Sequence, residues 1–138
     1  MTTANIAYRT ITKKNYQKYK ENVLEFYNHY FPDTENKIAI SKSSAFFVAI
    51  KNKEVVGCCR LLTDFSRNAT LYDLIVRKSN RNRGIGTKLT KMAISFCRKK
   101  SIQKLYLTTD PRYPWLKKFY TKLGFSVPTD QTLMKIRF

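Results

Sequence analysis

Apolar and polar positions change period several times along the chain, and the changes mark out its elements. Ile6 to Thr12 reads as a first strand. Thr12 then suits the N-cap of a helix from about Lys13 to Tyr30. Within it Tyr16, Tyr19, Val23, Phe26, Tyr27 and Tyr30 recur at three- and four-residue spacing and make one apolar face. Phe31-Pro32-Asp33 ends that helix, and Thr34 to Ser43 reads as loop with room for a short helical turn. Ala45 to Ile50, a turn at Lys51-Asn52-Lys53, and Glu54 to Thr63 form a hairpin pattern. Ser66-Arg67-Asn68 turns into the third strand of a meander, Thr70 to Val76.

The second half returns to helical spacing. From Ile85 to Lys100, Ile85, Leu89, Met92, Ala93 and Phe96 lie on one side, with Thr87, Lys88, Lys91, Ser95 and Arg98 on the other. Lys104 to Thr108 is a short strand of buried type. Pro111 or Pro114 suits the first turn of a last helix, which runs to about Leu123 with Leu116, Phe119 and Leu123 inward. Gly124 suits its left-handed stop. Phe125 to Val127 and Leu133 to Arg137 read as two closing strands. The order β-α-βββ-α-β-α-ββ predicts an α/β (α+β) fold with mixed pairing. With 138 residues, no repeats and no linker, the chain is expected to be one domain over residues 1–138.

One junction carries chemistry. Arg81-Asn82-Arg83-Gly84-Ile85-Gly86-Thr87 follows the strand Leu71 to Val76 and opens the long helix. Two alternate glycines let a backbone curl tightly and approach a ligand closely. The first N–H groups of a helix lack partners within it, and the helix dipole adds partial positive charge. Arg81 and Arg83 add two full charges, so the turn suits a phosphate or diphosphate.

Charge sharpens that reading. Lys and Arg number 27 against 9 Asp and Glu, a net charge of +18. No acidic residue lies between Asp73 and Asp110, so the basic block coincides with the glycine turn and its helix. Such a surplus fits a polyanionic cofactor, nucleic acid or an acidic partner, or a solvated lysine-rich surface. No apolar run approaches the roughly 20 residues of a membrane span. The N-terminus lacks the layout of a signal peptide, so the cytoplasm is the expected compartment. Cys58, Cys59 and Cys97 read as reduced, mostly buried packing residues, the first two facing opposite sides of a strand. One histidine, His29, and no Cys-x-x-Cys spacing argue against a metal site.

The element order and three local patterns together resemble the GNAT superfamily of acyl-CoA-dependent N-acyltransferases. The strand and turn Val76 to Gly86 resemble the family's strand followed by Arg/Gln-x-x-Gly-x-Gly, here Arg81-x-x-Gly84-x-Gly86. The helix from Ile85 resembles its cofactor helix, and Tyr120-Thr121-Lys122-Leu123-Gly124-Phe125 resembles its Tyr-x-x-Leu-Gly-Phe segment. The resemblance implies a mixed, mostly antiparallel central sheet flanked by helices. It implies acetyl-CoA as co-substrate, with no metal, its pyrophosphate in the turn Arg81 to Thr87. It implies the backbone of Leu74, Ile75 and Val76 along the pantetheine arm, and strands splayed apart near Val76 and Thr108.

The same resemblance implies direct attack of a primary amine on the thioester. A backbone N–H near a strand bulge polarises the carbonyl, and Tyr120 protonates the leaving thiolate. Asp73 and Asp110 are the candidates for general base, with water or a neutral amine as the alternative. The family often carries Asn where this chain has Tyr113, so no role is carried over there. The acceptor is left open among a small molecule, a protein and an aminoacyl-tRNA. The basic surface disfavours a polybasic acceptor and favours an acidic or nucleic-acid partner. By family analogy a homodimer is expected. A non-catalytic module of the same fold, binding CoA or nucleic acid to regulate a partner, is the alternative.

Overall fold

A computed structural model describes residues 5–32 and 35–138. Met1 to Ala4, at the N-terminus used above for the compartment, and Asp33 and Thr34 of the expected helix stop and loop lie outside the described residues. The chain divides into two compact units, Met1–Leu107 and Thr108–Phe138.

The first unit is a five-stranded sheet in the order β1-β2-β3-β4-β5, formed by β1 (Ala7–Ile11), β2 (Ala45–Lys51), β3 (Glu54–Thr63), β4 (Asn68–Val76) and β5 (Lys104–Tyr106). The first three pairings are antiparallel and β4–β5 is parallel. A parallel pair needs a crossover, which α3 (Ile85–Lys99) supplies. Strand alternation sorts side chains to two faces. Phe46, Val48, Val55 and Cys58 pack with Val23, Phe26 and Tyr27 of α1 (Tyr16–Tyr30). Phe47, Ala49, Val56, Cys59 and Leu61 pack with Ile85, Leu89, Ala93 and Cys97 of α3. Cys58 and Cys59 thus face opposite cores, and all three thiols are free and buried, as their sequence setting suggested.

Local chemistry moves some boundaries. α1 begins at Tyr16 rather than Lys13, because the Asn15 side chain accepts the Thr12 N–H at 2.8 Å and donates to the Thr10 carbonyl at 3.1 Å. The polar segment after α1 contains α2 (Asn36–Ser41). At the β2–β3 turn Asn52 and Lys53 take φ of +51° and +66°, the backbone a tight hairpin requires. β5 stops at Tyr106 rather than Thr108.

In the second unit α4 (Pro114–Lys122) starts on a proline and stops before Gly124 at φ +102°. Within this unit, Phe125 to Val127 and Leu133 to Arg137, expected as closing strands, form no strand. A strand exists only through ladder hydrogen bonds, and this unit by itself supplies no ladder partner for these residues. Their apolar side chains Val127, Leu133, Met134, Ile136 and Phe138 are exposed. Among the described residues no helix is long and apolar enough to cross a membrane.

Candidate active site

β4 is paired on one side along most of its length and on the other only at its start. Asn68, Ala69 and Thr70 pair with Lys104, Leu105 and Tyr106. Among the described residues, no strand of this unit pairs with Leu71 to Val76 on that side. The sheet therefore opens between β4 and β5 well before the Val76 and Thr108 ends considered from sequence. Backbone N–H and C=O groups along such an edge require partners. Leu74, Ile75 and Val76 line this edge and are half-buried.

The edge is also bent. Cys58 pairs with Ile75 and Arg60 with Tyr72, so two residues of β4 oppose Cys59 alone. This is a β-bulge, and Asp73 within it has φ +56°. A left-handed backbone costs an L-residue about 1–2 kcal/mol, least for Asp and Asn. Its neighbours grip it. The Tyr27 hydroxyl donates to the Asp73 carbonyl at 3.2 Å, and Arg60 Nε donates to Asp73 Oδ2 at 2.7 Å. Burial pushes the Tyr27 phenol well above its ordinary value, so it remains a donor.

Beyond Val76 the chain makes a short 3-10 turn, Lys78–Asn80, then the glycine turn. Arg81 Nε donates to the Val76 carbonyl at 2.9 Å, which folds the turn back onto the end of β4. Asn82 and Gly84 take φ of +63° and +80°. Gly84 is the N-cap of α3 and has no side chain to cap it, and no acidic residue lies in the first turn. The first intrahelical bond runs from Lys88 N–H to the Gly84 carbonyl at 3.0 Å, so the N–H groups of Ile85, Gly86 and Thr87 precede the ladder. Ile85 buries its side chain in the core, leaving its backbone for a ligand. Arg81, Asn82 and Arg83 are exposed. Cations at a helix N-terminus oppose the dipole unless an anion joins them.

A family model described as "Acetyltransferase (GNAT) family" matches residues 10–125. The chain belongs to the GNAT acetyltransferase family. An uncharacterized N-acetyltransferase ycf52 of Gracilaria tenuistipitata var. liui is 33% identical over 98 residues, 68% of this chain and 52% of that protein. The chain thus spans about half the length of this algal relative. N-alpha-acetyltransferase 30 of Schizosaccharomyces pombe is 27% identical over 119 residues, 83% of this chain and 72% of that protein. Among solved structures, the aminoglycoside N-acetyltransferase AAC(6')-Iy in complex with CoA superposes with a TM-score of 0.77 at 16% identity, covering 99% of this chain and 98% of that one. That likeness establishes the GNAT fold, and with it the mixed sheet flanked by helices.

Within this GNAT chain the sequence-derived candidates fall in two groups. Asp73, Leu74, Ile75, Val76 and Arg81 to Thr87 form one continuous path along β4 and into α3. Asp110 and Tyr120 belong to the second unit. Asp110 accepts from Arg112 Nη2 at 2.6 Å and from the Arg112 N–H at 2.9 Å. These bonds hold its carboxyl below the usual carboxylate range. Tyr120 is half-buried, its ring edge-on to Phe119 at 4.9 Å and to Phe125 at 5.6 Å. Both carboxylates singled out as bases are therefore occupied by guanidinium groups.

Three residues of the site went unread in the sequence. Arg60 interrupts the apolar run Val55 to Leu62, a signal that a carboxylate faces it, here the half-buried Asp73. Tyr27 was legible as core, but not as a donor to β4. Gly57 lets α3 approach the sheet: a Cβ there would lie 2.9 Å from Ile85 Cγ2 and 3.2 Å from Leu89 Cδ1.

Proposed function

We propose that this chain is an acetyl-CoA-dependent N-acetyltransferase acting on a primary amine by direct transfer. The observation that carries the reading is the unpaired edge Leu71 to Val76 running directly into the uncapped, basic N-terminus of α3. An extended arm with amide groups can pair with the edge as an added strand, and a diphosphate at its end suits the N–H groups of Ile85, Gly86 and Thr87. Arg81 and Arg83 supply charge to the same end. CoA has this shape, and the fold neighbour AAC(6')-Iy was solved with it.

In the reaction the amine nitrogen attacks the thioester carbon, and a C–N bond forms. The C–S bond breaks, and the thiolate takes a proton as the amine loses one. Backbone N–H groups at the bulge polarise the carbonyl oxygen. Tyr120 is assigned as the acid for the thiolate. Because Asp73 and Asp110 both accept from arginines, the amine is proposed to enter neutral or to lose its proton to water. The acceptor is a primary amine, with protein, small-molecule and RNA-borne amines in competition, and the protein is proposed to work in the cytoplasm.

Transfer from acetyl-CoA labelled in the acetyl group into fractionated cell lysate tests this reading. Label entering one fraction in proportion to added protein supports it and names the acceptor class. Binding of acetyl-CoA with no transfer to protein, RNA or small molecules overturns it in favour of a non-catalytic module.

A further inference from the structure

Asp73 is, among the described residues, the one strand-interior position with a left-handed backbone. It sits where the open edge of β4 begins its run toward the glycine turn. Two side chains from different elements converge on it. Tyr27, from α1, holds its carbonyl, and Arg60, from β3, holds its carboxylate. Each of these is itself fixed. Tyr27 is buried among Val23, Phe26 and Phe46. The Arg60 guanidinium lies over the Tyr72 ring at 4.8 Å and donates to Ser43 Oγ at 3.4 Å. Ser43 in turn donates to the Ala39 carbonyl at 2.8 Å, tying the group to α2.

A strained backbone persists only where its surroundings over-determine it, and such strain collects at working sites. A bulge re-aims the peptide groups around it. We propose that Tyr27 and Arg60 are positioning residues that lock the Asp73 bulge, and thereby aim the open-edge peptide groups of β4 at the acyl carbonyl. The inference rests on the acetyltransferase reading and assigns Asp73 to the lock rather than to proton removal. A mere packing role would leave the carbonyl's environment untouched, because Tyr27→Phe removes one oxygen and keeps the ring.

The test uses acetyl-CoA carrying carbon-13 at the thioester carbonyl, bound to the full chain and read by infrared difference spectroscopy. In the unaltered protein the bound carbonyl band moves to lower wavenumber. Tyr27→Phe and Arg60→Met are expected to lose at least about half of that shift while acetyl-CoA affinity stays within about threefold, and kcat falls about tenfold or more at nearly constant KM. Arg60→Lys, which keeps one donor, restores part of both, and Asp73→Asn, which keeps an acceptor for Arg60, exceeds Asp73→Ala in turnover. Variants that keep the band shift and kcat within about twofold overturn the lock. So does Asp73→Asn falling as low as Asp73→Ala with its band shift intact, which would return Asp73 to the role of base. If the unaltered protein does not bind acetyl-CoA, the acetyltransferase reading fails by itself. Amide hydrogen exchange over residues 71–76 then decides the lock. Faster exchange there in Tyr27→Phe, with the rest of the sheet unchanged, supports it, and equal exchange overturns it.

Discussion

A single hydroxyl separates packing from proton delivery at Tyr120. Its ring contacts with Phe119 and Phe125 use only the aromatic edge and face. Tyr120→Phe keeps those ring contacts and removes only the hydroxyl. If the hydroxyl protonates the leaving thiolate, kcat should fall by about a hundredfold or more at unchanged KM for acetyl-CoA. Steady-state kinetics with the acceptor found by labelling reads this directly, and full turnover in the phenylalanine variant removes Tyr120 from the chemistry. Tyr120 stands out as a candidate in the sequence because it lies in a short contiguous pattern. Arg60 and Tyr27 do not, because their partner Asp73 is 13 and 46 residues away in sequence and meets them only when the sheet has formed.

The elements that were legible are those whose cause is local. Helical spacing located α1 and α3, and the glycine turn announced the start of α3 within a residue. The bulge hides from any period-2 reading, although Leu71 and Leu74 face the same core three residues apart rather than two. The closing segments are not decided locally: alternation favours a strand, but only a ladder partner makes one, and their own unit supplies none. Helix placement yields a sharp expectation at Gly57. Its missing side chain lets the first turn of α3 settle against β3, with Ile85 as the nearest neighbour. Gly57→Ala should displace that turn by a few tenths of an ångström and cost about 1–3 kcal/mol of stability. Because the displaced turn is the proposed diphosphate cradle, acetyl-CoA affinity should fall too. Calorimetric titration beside thermal melting would expose the idea as wrong if stability drops and affinity does not.

Across the whole molecule, the two apolar cores set an alkaline limit. Burial pushes the Cys58 thiol up to about 12 from an ordinary value of 9.0, and Cys59 and Cys97 also move upward. Between about 9 and about 12 the unfolded chain has released the Cys58 proton and the folded chain has not. The folded state then binds more protons, so stability falls as pH rises through that window, by up to about 4 kcal/mol for a three-unit difference. Urea melts from pH 8 upward should show that decline, and Cys58→Ala should flatten its slope whatever it does to the starting stability. The unpaired edge of β4 has a further consequence of its own. A bare strand edge is a template on which another extended chain can add, including a second copy of this protein. An extended ligand lying along Leu71 to Val76 would then act as a guard against self-association as well as a reactant. Ligand-free protein at high concentration should scatter more light with time than protein saturated with CoA, and equal scattering from the two would show that the edge is not the site of association. Turnover of the co-substrate would then leave the chain most prone to aggregate in the interval between product release and rebinding.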